Sequence, residues 1–381
     1  MLTGNIFLEK FRRVSSQRYM PEIDGLRFLA IIPVILLHFR TSFLRYNDNY
    51  DIGSLSSMSK TIDKFILTGD VGVPVFFAIS GFILSLPFAN HYINNGKKVN
   101  VKRYFFRRLT RLEPPYIITL IIFYIVHVAL QTNPLKDLTA SLFASLIYSH
   151  NWIFGTWSII NPVAWSLEIE VQFYILVPLL TILFAVKNRL FRSGLLLLLL
   201  LLFPVLNYIL KVPFLSLIGF GQYFIVGIIV ADIYLSNKTL NINKNIFDIA
   251  GVISVVLIFV LKFYKIYFFL PVVIFVVFLS AIYGNILNKI FSNRFVSIIG
   301  GMCYITYLIH YSLFTGIMMI FPDVSLGLGY WPDFILYGAI IIPMVIISSA
   351  FAFLVLEKPF MDHNWPHRFH QFIINIKMKK K

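Results

Sequence analysis

Arg27 and His38 stand eleven residues apart in a segment, "EIDGLRFLAIIPVILLHF" (22–39), that is otherwise apolar enough to lie in lipid. A second apolar segment, "WSLEIEVQFYIL" (165–176), carries two carboxylates, Glu168 and Glu170. An ionisable side chain at the centre of a membrane helix costs about 2.5–3.5 kcal/mol or more, so such residues mark sites rather than surfaces. At 3.6 residues per turn, eleven positions are close to three turns. Arg27 and His38 therefore share a helix face roughly 16 Å apart along the axis, and Asp24, three residues before Arg27, can pair with it there. A carboxylate that engages one imidazole nitrogen makes the other a better base, which is how a hydroxyl is activated. The second segment runs in the opposite direction, so Glu170 falls at a depth close to that of His38 and is its expected partner. Glu168, two residues away, faces elsewhere.

The elements that must position these residues are membrane helices. The chain has 381 residues, 58% of them hydrophobic and 13% charged, with a mean hydropathy of +0.80. Runs such as "GLLLLLLLLFPVL" (194–206) exclude a water-soluble fold. The alternation of apolar and polar residues that a membrane barrel needs is absent, so the fold class is all-α, a polytopic membrane helical bundle. Windows of about 20 residues give ten spans: 24–42, 70–89, 113–132, 164–186, 193–210, 214–235, 246–263, 266–284, 302–321 and 334–356. The single cysteine, Cys303, rules out an internal disulfide, and no metal site is expected.

A net charge of +16 would suggest nucleic acid in a soluble protein, but here its distribution follows the membrane. The two termini and every second connection hold 24 Lys and Arg. The opposite connections hold 7, counting Lys262 and Lys265 of one hairpin. The positive-inside rule then places both termini in the cytoplasm and supports an even number of spans, with no nucleic-acid partner. The basic start "EKFRRVSSQR" leads into a span without a small-residue cleavage site, so the first helix is expected to stay. Three parts follow: a basic N-terminal segment (1–23), a transmembrane domain (24–360) and a basic cytoplasmic tail (361–381). The longest outer connection, 133–163, contains "LTASLFASLIYSHNW", too short to span and expected to be interfacial or re-entrant.

The same residues carry a resemblance. The opening "EIDGLRFLAIIPVILLHF" is similar to the signature of the integral-membrane acyltransferase family three. Further matches follow in order: "GDVGVPVFFAISGFILS" (69–85), "RRLTRLEPPY" (107–116), "WSLEIEVQFY" (165–174), "CYITYLIHYSL" (303–313) and "EKPF" (357–360). The resemblance implies a ten-helix acyltransferase of a bacterial cytoplasmic membrane. It would take an acyl group, usually acetyl, from cytoplasmic acyl-coenzyme A as donor substrate, with no tightly bound cofactor, and place it on a hydroxyl of a glycan or lipid-linked sugar. It makes Arg27 and His38 the Arg-and-His motif, Glu170 the acid of the Trp-Ser-Leu motif, and Arg107, Arg108 and Arg111 the basic donor-binding motif. Glu168 departs from the pattern, standing where the family more often has a small or neutral residue.

Chemistry makes this intelligible. The polyphosphorylated head of coenzyme A needs cations in the aqueous cytoplasm, and Arg offers bidentate phosphate contacts. The connection 90–112 supplies Lys97, Lys98, Lys102, Arg103, Arg107, Arg108 and Arg111, of which Arg108 and Arg111 lie three apart on one face beside the third span. His38, oriented by Glu170, would act as base, or would itself take the acyl group and pass it on. Ser80 is a mid-membrane donor for the thioester or a developing oxyanion, and a packing residue on the plainer reading. His310, beside Tyr304, Tyr307 and Tyr311, is a supporting group for the site or a structural residue. Trp152, Trp157 and Trp165 would rim an outer sugar site or simply mark the interface; His127 and Asp232 read as structural. Two other classes compete: a secondary transporter of a glycan or small solute, using Arg27, His38 and Glu170 as its path, and a membrane sensor or scaffold. The absence of duplicated halves counts against the first, and the sparse soluble regions count against the second.

Overall fold

A computed structural model describes residues 9–13, 19–212, 215–236, 243–323, 325–362 and 365–366. Nearly all of the proposed basic tail and much of the N-terminal segment lie outside them. Among the described residues there are helices and no strands. In chain order they are α1 (Pro21–Arg45), α2 (Ser57–Ile66), α3 (Gly72–Asn94), α4 (Val101–Ala129), α5 (Leu135–Leu146), α6 (His150–Phe154), α7 (Trp165–Leu180) and α8 (Arg189–Leu210). Then come α9 (Leu217–Ser236), α10 (Lys244–Phe263), α11 (Leu270–Tyr283), α12 (Ile286–Phe291), α13 (Arg294–Gly301), α14 (Cys303–Ile320), α15 (Tyr330–Ala352) and, after a π-helical turn Phe353–Glu357, α16 (Lys358–Met361). Among the described residues, eight helical stretches are long and apolar enough to cross a membrane. α1 has the length but carries Glu22, Asp24, Arg27, Arg40 and Arg45, and α11 is short for a span. The protein is a polytopic helical membrane protein.

One boundary differs from the sequence reading. The stretch 101–112, expected as connection, is the first three turns of α4, continuous through Pro114 and Pro115. Asn100 starts it, its side-chain oxygen accepting the Arg103 N–H at 3.0 Å, a polar cap that favours helix over loop at this point. The apolar stretch of the connection 133–163 forms α5 and α6, each too short to span.

The centre of the bundle is α3 against α9. Of their most apolar stretches, 72% and 61% of residues are buried, whereas α8 buries 6% and turns its leucines outward. Small residues allow this contact, as expected where packing rather than water exclusion drives association. A Cβ on Gly81 would lie 2.1 Å from the Phe224 carbonyl oxygen, and one on Gly227 would lie 2.0 Å from that of Ala78. Phe77, Phe173 and Phe224 stack beside them, with centroids 4.5 and 4.0 Å apart. Elsewhere buried ions are paired: Arg192 Nε to Asp232 at 2.7 Å between α8 and α9, and Arg40 to both oxygens of Asp63, at 2.9 and 2.6 Å, between α1 and α2.

The tight contact makes a prediction. Gly227→Val should drive α3 and α9 apart and lower the thermal stability of detergent-purified protein by about 1–3 kcal/mol or more. Gly316→Val, where an added Cβ meets nothing within 4 Å, should not. Equal melting temperatures for both variants would remove the packing argument.

Candidate active site

The site begins where α1 begins. Pro21 occupies its first position, where a missing N–H costs nothing. α13 then packs so closely that a Cβ on Gly300 would lie 1.7 Å from the Asp24 carbonyl oxygen. That contact fixes Asp24, whose carboxylate accepts a hydrogen bond from Arg27. Arg13, from the N-terminal segment, approaches the same oxygen at 3.6 Å. Burial, and then the neighbouring Arg27 guanidinium, lower the Arg13 pKa.

Arg13 and Arg27 line a cavity of about 930 Å³, open solvent at its mouth included. Four guanidinium groups face it, those of Arg13, Arg27, Arg108 and Arg111, against two carboxylates, Glu170 and Glu357. Glu357 ends the π-helical turn and accepts the Ile305 N–H at 3.1 Å, tying the end of the α15 helix to α14. The Arg111 Nε is buried without a hydrogen-bond partner among the described residues. A low-dielectric chamber with surplus positive charge and an unused donor fits an anionic ligand held by several oxygens.

Deeper in, the walls turn apolar, with Phe76, Phe77, Ile79, Ile83 and Leu308 beside a few polar groups. Ser80 donates to Glu170 there. Tyr307 donates to the Val163 carbonyl at 2.8 Å and accepts from the Ser166 hydroxyl at 2.9 Å. One ring behind Tyr307 lies His310, their centroids 5.8 Å apart, and His310 Nε2 is 2.8 Å from His38 Nδ1. His310 Nδ1 faces the carbonyl oxygens of Thr306 and Tyr307, at 3.0 and 2.9 Å. Carbonyls only accept, so the His310 proton sits on Nδ1 and its Nε2 is an acceptor. His38 must then donate from Nδ1. Its Nε2 keeps the lone pair of a base.

This corrects the expected pairing. Glu170 does not meet His38; it bonds Ser80 and faces the arginine cavity, while His310 takes its place at the histidine. α1 and α7 both contribute to the cavity, through Arg27 and Glu170, but position along a helix says nothing about which face a carboxylate presents. Glu168 is a brace: 1% exposed, it accepts the backbone and side-chain N–H groups of Asn151 at 3.0 and 3.2 Å, holding α6 against α7. Arg108 and Arg111 line the cavity, but Arg107 is exposed and outside it. Trp165 packs on Phe220 with centroids 5.4 Å apart, towards the opposite end of the bundle. His38 itself does not line the cavity; His310 and Tyr307 stand between. Arg13, Glu357, Ser166 and Tyr307 were not singled out from sequence as site residues. Glu357 was visible only as the acid of "EKPF", and nothing separates Arg13 from its basic neighbours. Among the described residues no cluster of His, Cys, Asp and Glu could hold a metal ion.

Comparisons with known proteins now bear on this geometry. A family model described as an acyltransferase domain matches residues 20–353. A Staphylococcus aureus (strain MSSA476) protein named "Putative O-acetyltransferase" is 25% identical over 415 residues, covering 95% of this chain and 62% of that protein. The peptidoglycan O-acetyltransferase OatA of Listeria monocytogenes is 28% identical over 335 residues, covering 79% of this chain and 50% of its own length. The chain thus spans between half and two thirds of these relatives. No solved structure matches.

The histidine pair can be checked without any activity. In ¹⁵N-histidine spectra of detergent-purified protein, His38 should carry its proton on Nδ1. His310→Ala should release it to a mixture dominated by the commoner Nε2–H form. A parent His38 protonated on Nε2 would contradict the geometry.

Proposed function

The chain belongs to the integral-membrane acyltransferase family three, and on that premise we propose that it is a membrane O-acyltransferase. It carries an acyl group, acetyl first of all, from cytoplasmic acyl-coenzyme A to a hydroxyl of a glycan or glycolipid on the outer side of the cytoplasmic membrane. One observation supports the donor above all: four arginines converge on a buried chamber, and Asp24, Glu170 and Glu357 offset them only in part. Coenzyme A presents several phosphate oxygens on a long thin arm. The arginines would take the phosphates, and the apolar continuation past Phe76 and Phe77 would take the arm.

In the reaction, His38 Nε2 removes the acceptor proton as its oxygen attacks the thioester carbonyl. The carbon–oxygen bond forms, the carbon–sulfur bond breaks, and the proton passes to the departing thiolate. His310 holds His38 in the tautomer this requires, while Glu170 and Ser80 form a polar step between the phosphate end and the histidines. A rotation of Tyr307, or entry of substrate, has to open the last layer between the cavity and His38. The O-acetyltransferase names of the relatives support the same chemistry, and the OatA name points to a cell-wall polymer as acceptor.

Inverted membrane vesicles given acetyl-coenzyme A labelled in the acetyl group test the reading. Label should reach glycan with the parent. It should fall by roughly 10²-fold or more with His38→Ala and with His310→Ala, since general base catalysis contributes about that much. Glycan transport without any acetyl transfer would favour an exporter.

A further inference from the structure

A second chamber lies at the other end of the bundle. The arginine cavity sits beside the starts of α1 and α4, whereas this one is formed where α8 ends, α9 begins and α6 folds over them. It measures about 1060 Å³ with its open mouth, and its lining includes Asn151, Thr156, Trp157, Asn207, Ser216 and Phe220. None of these described lining residues is charged, which is notable in a chain of net charge +16.

Its polar groups are available. Ser216 is 2% exposed, and its hydroxyl has no hydrogen-bond partner among the described residues. A buried hydroxyl left unpaired is costly, and a ligand hydroxyl would recover that cost. The Asn151 amide nitrogen is already committed to Glu168, so its oxygen is the end that can accept. Beside them Trp157 is 62% exposed, presenting a large apolar face next to neutral donors and acceptors. Gly155, with φ +66°, makes the turn that carries Trp157 back over the chamber.

An indole face beside neutral amides and hydroxyls matches one ligand chemistry. A pyranose has an apolar C–H face and a rim of hydroxyls, and needs no counter-charge. We propose that this chamber is a binding subsite for a neutral sugar ring of the acceptor glycan, with Trp157 against its C–H face and Asn151, Asn207, Thr156 and Ser216 on its hydroxyls. The proposal rests on the glycan acceptor put forward above. The chamber's place supports it: Phe220 forms its wall and packs edge-on against Phe77 of the arginine cavity, with centroids 5.6 Å apart. The packed rings of Phe220 and Phe77 thus stand between the sugar chamber and the arginine cavity.

The test uses the full chain in detergent and reads binding apart from transfer. Neutral tetrasaccharides of N-acetylglucosamine, glucose and galactose are titrated by saturation-transfer NMR, with tetragalacturonate as the charged comparison. At least one neutral sugar should bind the parent. Its affinity should fall about 10-fold or more in Trp157→Ala and in Asn207→Ala, recover partly in Trp157→Phe, and stay unchanged in Arg111→Ala. In the vesicle assay Trp157→Ala and Asn207→Ala should raise the KM for acceptor and leave that for acetyl-coenzyme A alone. Binding of a neutral sugar without any acetyl transfer would uphold the chamber and sink the acyltransferase reading. Acetyl transfer that neither Trp157→Ala nor Asn207→Ala affects in acceptor KM would overturn the chamber and leave the enzyme standing. So would binding of none of the neutral sugars, or tighter binding of tetragalacturonate.

Discussion

A guanidinium group buried away from water must be matched by an anion, and the four that meet in this protein are matched only in part. Arg27 has Asp24, and Glu357 and Glu170 stand across the chamber, but Arg13, Arg108 and Arg111 outnumber what remains. Much of the surrounding architecture serves that cluster. The close approach of α13 at Gly300 holds Asp24, the helical extension of α4 carries Arg108 and Arg111 inward, and the π-helical turn places Glu357 where it can accept from α14. A chamber that has to hold surplus positive charge in a low dielectric is costly when empty. An anionic ligand would relieve that cost.

The second requirement is a base in a defined tautomer deep in the bundle, and here the backbone decides. Two carbonyls of α14, exposed towards the His310 ring, fix its proton, and His310 fixes that of His38. The chain of hydrogen bonds contains no carboxylate, so the base does not depend on an ionised partner in lipid. That is the cheaper arrangement in a medium where each charge must be justified. Glu170 is thereby released to the polar step near the arginines.

How much of this the sequence made legible depends on the kind of information each feature needs. The helical class followed from "GLLLLLLLLFPVL" and similar runs, because lipid admits few alternatives. The family followed from motifs in order along nearly the whole chain. Arg108 and Arg111 could be preferred over Arg107 because helical periodicity places the pair on one face, and the cavity is on that face. What failed was pairing between helices. Nothing local to Glu170 says that it turns to Ser80, and nothing local to Glu168 says that it holds Asn151, since both contacts depend on rotation of α7 against neighbours distant in sequence. The role of Arg13 was hidden for a similar reason, as a basic residue near a helix start usually reports topology. The helical start of α4 at Val101 was missed because charged residues read as connection, although Asn100 is a capping residue.

The central claim is that the buried arginine chamber holds the phosphates of coenzyme A, separately from the histidines that carry out the chemistry. Calorimetric titration of coenzyme A into detergent-purified protein tests it most directly. The account predicts binding by the parent, a loss of about 10-fold or more in affinity for Arg27→Ala and for Arg111→Ala, only partial recovery in Arg111→Lys because a point charge lacks the guanidinium fork, and near-parental affinity for His38→Ala. Parental affinity in both arginine variants, or a loss confined to His38→Ala, would contradict it.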